Sequence, residues 1–471
     1  MTSHDDVTND PQPRDGDSVR VIFPIGMLGG GISEETVARG ISLGADAIAV
    51  DGGSTDSGPH YLGAGIAKTS RGSLKSDLRT ILVAGRRAGI PVVVTTCGTS
   101  GTDSGVEWVA GIAQEIADEE ALTFTLAKIY SELTRESVLA ALADGRIASL
   151  EPAGPLTAET VGRCEHIVGL MGHVPIAEAL AAGADLVLTG RASDTASVAG
   201  IALERGIAAG PTWHAAKTVE CGSQCTTDPL GGGVLVEIDD AGFSIHPLDD
   251  TSAATPMTVA AHMLYENADP FRLREPSGTL DTSAAVYTAV DERVTRVEGS
   301  VFEEAAQPTI KLEGAAIGGY ETVSLVGIRD PHILAHMDAW LERFAGELAR
   351  RVRTHLGLEE GQYDAELRAY GHNAVLGALE PDGEPPREAG VLFRSRAADQ
   401  ATATAIAKIA NPLMLHLPLE GMTHLPSFAF ATSPAEIDRG ASYEFVLQHT
   451  IDVDDEGELF RAEYQEVAPR A

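Results

Sequence analysis

Short apolar runs alternate with amphipathic stretches through the first half of the chain. The runs at residues 19–23, 45–50, 90–95, 124–130 and 185–189 are rich in Val, Ile, Leu and Ala, and all but the first end at glycine or a polar residue, the pattern of a buried strand. A weaker run covers 166–170. Between them, apolar positions recur at helical spacing from Ser33 onward and over 76–88, 105–118, 136–144, 175–182 and 196–205. Ser33 followed by Glu34 and Glu35 reads as a helix start. Repeated strand–helix alternation predicts an α/β fold with a parallel sheet and helices on both faces over residues 19–230.

Beyond residue 230 the texture changes. Alternating strands are predicted at 234–238, 243–246, 284–288, 294–297 and 310–313. One long helix or two cover 331–356, a linker-like loop holds Pro381 and Pro386, a helix covers 397–412, and 443–449 ends the fold as a strand. Residues 231–471 are therefore expected to form a smaller α+β region packed on the first domain. The polar, acidic stretch 1–18 has no apolar core and reads as a disordered tail.

Composition narrows the class. The 471 residues are 44% hydrophobic, enough for sizeable cores, and 69 acidic against 34 basic residues give a net charge of -35. Such a field repels nucleic acid and anionic membranes, and aromatics are only 5% of the chain, so neither partner is expected. No apolar stretch has the length of a membrane span. Four scattered cysteines, Cys97, Cys164, Cys221 and Cys225, do not make a disulfide framework and fit a reducing cytoplasm.

The candidate chemistry falls just after strands, where parallel sheets place their sites. Asp51-Gly-Gly-Ser-Thr-Asp-Ser-Gly-Pro59 follows the 45–50 run and offers Asp51, Asp56, Ser54 and Thr55, with His60 next in sequence. Its alternative is a polar turn that caps a helix. Thr95-Thr-Cys-Gly-Thr-Ser-Gly101 offers Thr99 and Ser100 as anion-binding hydroxyls. Cys97 in that loop is either a nucleophile with a depressed pKa or a small buried residue, the commoner fate. Thr189-Gly-Arg-Ala-Ser-Asp194 offers Arg191, whose planar fork matches a carboxylate or phosphate, and Asp194 as base, cap or orienting partner. Their alternative is a structural ion pair. Glu220 is a candidate acid or base against a solvated surface carboxylate.

Other signatures are missing. Cys221-x3-Cys225 lacks zinc spacing, and no second cysteine pair completes a tetrahedral site. Gly29-Gly-Gly-Ile-Ser-Glu34 lacks the last glycine of Gly-x-Gly-x-x-Gly, so no nucleotide cofactor is expected. A divalent metal, if bound, would be held by Asp51, Asp56 and Asp194, because hard cations prefer carboxylate oxygens.

Taken together, Gly183-Ala-Asp-Leu-Val-Leu-Thr-Gly-Arg-Ala-Ser-Asp194, Val219-Glu-Cys-Gly-Ser-Gln224 and Ala261-His-Met-Leu-Tyr-Glu-Asn-Ala-Asp-Pro-Phe271 resemble the acyclic terpene utilisation (AtuA-like) family. The Asp51–Pro59 run, with Phe428–Pro434 and Tyr443–Phe445, is similar to a subgroup carrying Asp-x-Gly-Ser-Thr-Asp-Pro-Gly-Pro, with Ser57 in place of the usual proline. The resemblance implies catabolic chemistry on organic acids or acyl thioesters. It also implies a small companion protein, and hence a two-component enzyme.

The expected function is a cytoplasmic, homo-oligomeric lyase of hydratase or dehydratase type acting on a small hydroxy or unsaturated carboxylic acid or its thioester. Arg191 with Ser54, Thr55, His60, Thr99 and Ser100 would hold the substrate. Asp51, Asp56, Asp194 and Glu220 would move the proton. A non-catalytic binding or scaffold subunit and a hydrolase using Cys97 are the alternatives.

Overall fold

The computed structural model describes residues 18–470 apart from Glu266, Asp382 and Ser427. The stretch read as a tail therefore lies outside the described residues except for Ser18. The chain divides into two compact units, one reaching Ala316 and resuming at Phe445, the other spanning Ile317–Glu444.

The first unit is built on a ten-stranded sheet. Its centre is five parallel strands in the order Val19–Phe23, Ala47–Asp51, Val92–Thr95, Leu186–Thr189, Phe124–Tyr130. Insertion of Leu186–Thr189 beside Val92–Thr95 brings the 189–194 loop next to the 95–101 loop. Side chains alternate between two cores, as the strand period of two requires. Ala47, Ala49, Val93 and Val187 point into one, with Ile176, Val198, Ile201 and Trp213 from helices. Ile48, Val50, Val92, Val94 and Leu186 point into the other, with Leu78, Ile81, Val109 and Ile116. Helices thus cover both faces of these strands, and burial on both sides explains why their sequences read as continuous apolar runs.

The sheet is mixed rather than parallel throughout. Val234–Ile238 pairs antiparallel with Val19–Phe23, and Gly242–Pro247, Thr295–Glu298 and Val286–Ala289 extend that edge. Arg461–Val467 pairs antiparallel with Phe124–Tyr130 at the other edge, so the strand near 443–449 is not the last. Hairpin-scale connections after residue 230 favour antiparallel neighbours, which need no crossover helix. The 166–170 run forms Cys164–Gly169 but leaves this sheet, pairing with residues 312–316 of the strand Thr309–Ile328. The helix Ala209–Val219 was not read from the sequence, because it is buried nearly all round and carries no amphipathic stripe.

Local signals set the ends of the elements. The Ser33 side chain accepts from Thr36 N at the start of Glu34–Ser42. Thr102 does the same for Gly105 N at the start of Asp103–Glu120. Gly89, at φ +70°, ends Arg71–Ala88 just ahead of the Val92 strand.

The second unit packs Met337–Leu356 against Gln400–His416, and the latter against Ala389–Ala397. Trp340, Phe344 and Phe393 fill its core. Residues 320–328 and Asp364–Tyr370 flank Ala389–Ala397 in antiparallel register. The helix expected at 331–356 is two, Pro331–Ala335 and Met337–Leu356. Among the described residues no helix is long and apolar enough to cross a membrane.

Two glycines separate packing from propensity. A Cβ on Gly101 (φ +68°) would sit 2.0 Å from Arg191 N, whereas one on Gly111, exposed in Asp103–Glu120, meets nothing within 4 Å. Gly101→Ala is expected to lower unfolding free energy by more than about 2 kcal/mol. Gly111→Ala is expected to raise it by about 0.5–1 kcal/mol, both read by urea denaturation.

Candidate active site

Three strand-end loops meet at Asp51. It is the last residue of its strand, lies opposite Thr95 in register, and accepts from Thr95 Oγ1 at 2.9 Å. The approach is close enough to demand glycine: a Cβ on Gly52 would lie 2.7 Å from Thr95 O, and one on Gly53 2.8 Å from Thr99 Cα. Thr96 and Thr99 hold φ of 48° and 76°, left-handed values that a β-branched residue adopts only when its surroundings impose them. Thr96 N and Cys97 N donate to Gly190 O and Thr189 O, fixing the second loop to the third.

Arg191 is the hub of the third loop. Its guanidinium is buried, and Nε donates to Glu313 Oε2 at 3.1 Å. Nη1 donates to Ala192 O at 3.1 Å and lies 3.6 Å from Asp194 Oδ1, while Nη2 reaches Thr55 Oγ1 at 3.4 Å. Thr55 Oγ1 donates in turn to Glu313 Oε2 at 3.0 Å, and Lys311 Nζ to Glu313 Oε1 at 2.7 Å. Burial opposes charge on Glu313, yet Arg191 and Lys311 hold its carboxyl down at about 2. Asp51 goes the other way: burial and then the Asp194 carboxylate push it well above the usual range, against Arg191 and the threonine hydroxyls. Neighbouring acids with opposite shifts are a common basis of acid–base sites.

Asp194 links this group to a second one. The helix Ala209–Val219 carries Lys217 near its end and Glu220 as its cap, and Lys217 Nζ is bonded to Glu220 Oε1. Glu220 is buried, and burial pushes its carboxyl well up, with Asp194 and Glu275 adding to the rise and Lys217 opposing it. Glu275 Oε2 accepts from Ser193 Oγ and Thr195 Oγ1, both at 2.9 Å. Burial and Asp194 raise it to about 7 despite those bonds and Lys217. One lysine thus stands among three carboxylates, those of Asp194, Glu220 and Glu275.

The structure brings Asp51, Thr55, Arg191, Asp194 and Glu220 into this network. It does not bring in the others. Asp56 is exposed and bonded to Ser54, which donates to its Oδ2 at 2.9 Å. Among the described residues Asp51, Asp56 and Asp194 form no compact donor set; the one group of three donors within 4.8 Å of one another is Glu220, Cys221 and His262. His60 is exposed at the start of His60–Ala64. Thr99 Oγ1 accepts from Lys68 N, and Ser100 Oγ donates to Tyr61 O, so both hydroxyls brace neighbouring loops. The Cys97 thiol is fully buried with Sγ on Val94 O, and burial pushes it up, away from thiolate. Arg191 meets a carboxylate, as its fork suggested, but that carboxylate is the protein's own Glu313.

Lys217, Glu275, Glu313 and His262 were missed. Glu313 and Glu275 sit in strands whose neighbours gave no functional pattern. A charge at a position flanked by apolar residues, as in Ile310-Lys-Leu-Glu313, was the available signal. Lys217, three residues before Glu220, could have been found as a helical i,i+3 partner. A surface hollow of about 500 Å³ is lined by Val37, Arg79, Val83 and Arg87, among others, and includes none of these acids. Chemistry rather than volume marks the site.

Fold and site together define a mixed α/β protein with a buried acid–base cluster at its strand ends. The family can now be stated. The chain belongs to the acyclic terpene utilisation family, protein AtuA, whose model matches residues 69–440, about four-fifths of the chain. The match includes Arg191, Asp194, Glu220, Glu275 and Glu313 but begins after the Asp51 loop. Comparison with curated proteins and with solved structures gives no match.

Glu313→Gln leaves a buried guanidinium without its nearest counter-charge and is expected to cost about 3 kcal/mol at pH 7 in chemical denaturation. A carboxyl depressed by folding stabilises above its unfolded pKa and loses that contribution as pH falls towards about 2. The gap between wild type and variant is therefore expected to narrow below about pH 4.

Proposed function

We propose that the chain is a catabolic lyase of hydratase or dehydratase type, acting on a small hydroxy or unsaturated carboxylic acid or its thioester. The observation that carries this reading is Glu275, a carboxyl raised to about 7 beside Asp194 and Lys217. An acid poised near neutrality can protonate a departing hydroxide in one direction and deprotonate water in the other. Asp194, whose Oδ1 has no hydrogen-bond partner among the described residues, would take or return the proton at the carbon next to the substrate carbonyl. Lys217 and Arg191 supply positive charge against the enolate that forms. Asp51 and Glu313 set the field and position of Arg191 and are not assigned a proton-transfer step.

Family membership supports catabolism, because the family takes its name from acyclic terpene utilisation. Breakdown of branched unsaturated acids needs water added across, or removed from, a double bond conjugated to a carbonyl. That requirement fits paired acids better than a nucleophile, and the depth of Cys97 adds nothing to the hydrolase alternative.

A second reading, a binding subunit of a two-component enzyme, draws on Met257, Leu264 and Tyr265, which are exposed large apolar residues around His262. Turnover by the purified chain alone excludes that reading.

The test is hydration of short branched 2-unsaturated acids and their thioesters, followed by loss of the conjugated chromophore. Glu275→Gln is expected to lower kcat about 100-fold or more with substrate binding within a few-fold of wild type. Wild-type dehydration is expected to fall as pH rises through about 7, and hydration to fall as pH drops through it. Full activity of Glu275→Gln with an unchanged pH profile would sink the assignment.

A further inference from the structure

Glu220, Cys221 and His262 come from two elements that the fold locks together. Glu220 caps Ala209–Val219, and Cys221 opens the turn Gly222–Cys225. That turn is held against the 25–26 loop so tightly that a Cβ on Gly26 would lie 3.1 Å from Cys221 O, and one on Gly222 2.9 Å from Gly26 N. The helix Pro256–His262 packs on the same turn and delivers His262. A carboxylate oxygen, Sγ and a ring nitrogen then lie within 4.8 Å of one another.

One further observation, independent of the donor spacing, points to a ligand there. His262 is only 5% exposed, and its Nε2 is buried with no hydrogen-bond partner among the described residues. A buried ring nitrogen left unpaired carries an uncompensated desolvation cost, which a bound group would remove.

We propose that Glu220, Cys221 and His262 form a divalent metal site of zinc type. One oxygen, one sulfur and one nitrogen donor suit a borderline-soft ion, whereas calcium or magnesium would take oxygens alone. Bond lengths of about 2.0–2.3 Å in tetrahedral geometry place donors roughly 3.3–3.8 Å apart, so small side-chain rotations close the site. Three protein ligands leave the fourth position open. Cys221 is the one cysteine of the four that is not buried. The Cys-x3-Cys spacing does not predict this site, because Cys225 is buried and takes no part. The proposal rests on donor geometry and holds whatever reaction the acids perform.

Cobalt(II) tests it. The chelator-stripped full chain is expected to bind one equivalent of Co2+ with a thiolate-to-cobalt charge-transfer band, displaced by Zn2+. Cys221→Ser is expected to abolish the band, and His262→Ala to weaken binding at least tenfold, while Cys164→Ser leaves both unchanged. A second measurement needs no variant: Zn2+ is expected to slow iodoacetamide alkylation of Cys221 at least tenfold, read by peptide mass spectrometry. Absence of a charge-transfer band in the wild type, its survival in Cys221→Ser, or unprotected Cys221 at saturating Zn2+ would overturn the proposal.

Discussion

The buried pair of Arg191 and Glu313 is the constraint on which the strand-end site depends. A guanidinium with this little exposure survives only if its charge is met and its N–H groups are satisfied. Glu313, Thr55, Ala192 O and Asp194 meet it, and they come from three separate parts of the chain. The pair therefore ties the Asp51 loop, the Arg191 loop and the strand Thr309–Ile328 to one point. Its formation also fixes Asp194, the residue through which both acid groups feel one another.

From that point the electrostatics divide the acids by role. Glu313, held down near 2, is a permanent counter-ion. Asp51 and Glu220 are pushed up by burial, and Glu275 is brought to about 7. The same kind of group, in surroundings that differ in burial and neighbours, gives a fixed charge in one place and raised carboxyls in others. Glycines at 52, 53 and 101 make the arrangement sterically feasible, because every loop in it passes within contact distance of another backbone.

Much of the fold was legible because parallel strands buried on both faces leave a run of Val, Ile and Leu ending in polar residues. Val92–Thr95 and Phe124–Tyr130 are of this kind. The sheet's antiparallel flanks were legible as strands but not as members of this sheet, since pairing partners such as Arg461 and Tyr130 are far apart in sequence. For the site, Asp51, Arg191 and Asp194 stood out because glycines and hydroxyls surround them just after strands, and Glu220 because it opens the polar run Glu220-Cys-Gly-Ser-Gln-Cys225. Glu275 and Glu313 did not. Their surroundings are created by tertiary packing, and an isolated acid in a strand carries no local mark of it. Asp56 looked equivalent to Asp51 in sequence, yet one lies inside the sheet edge and the other in solvent, a difference of five residues along a turn.

The most direct test of the central claim, that the strand-end acids form the site of chemistry, is a crystal structure with a short branched hydroxy acid bound. The account predicts electron density for its carboxylate or hydroxyl within hydrogen-bond distance of Asp194 and Glu275, beside Lys217. Density confined to the hollow lined by Arg79 and Arg87, with the acids around Lys217 untouched, would contradict it.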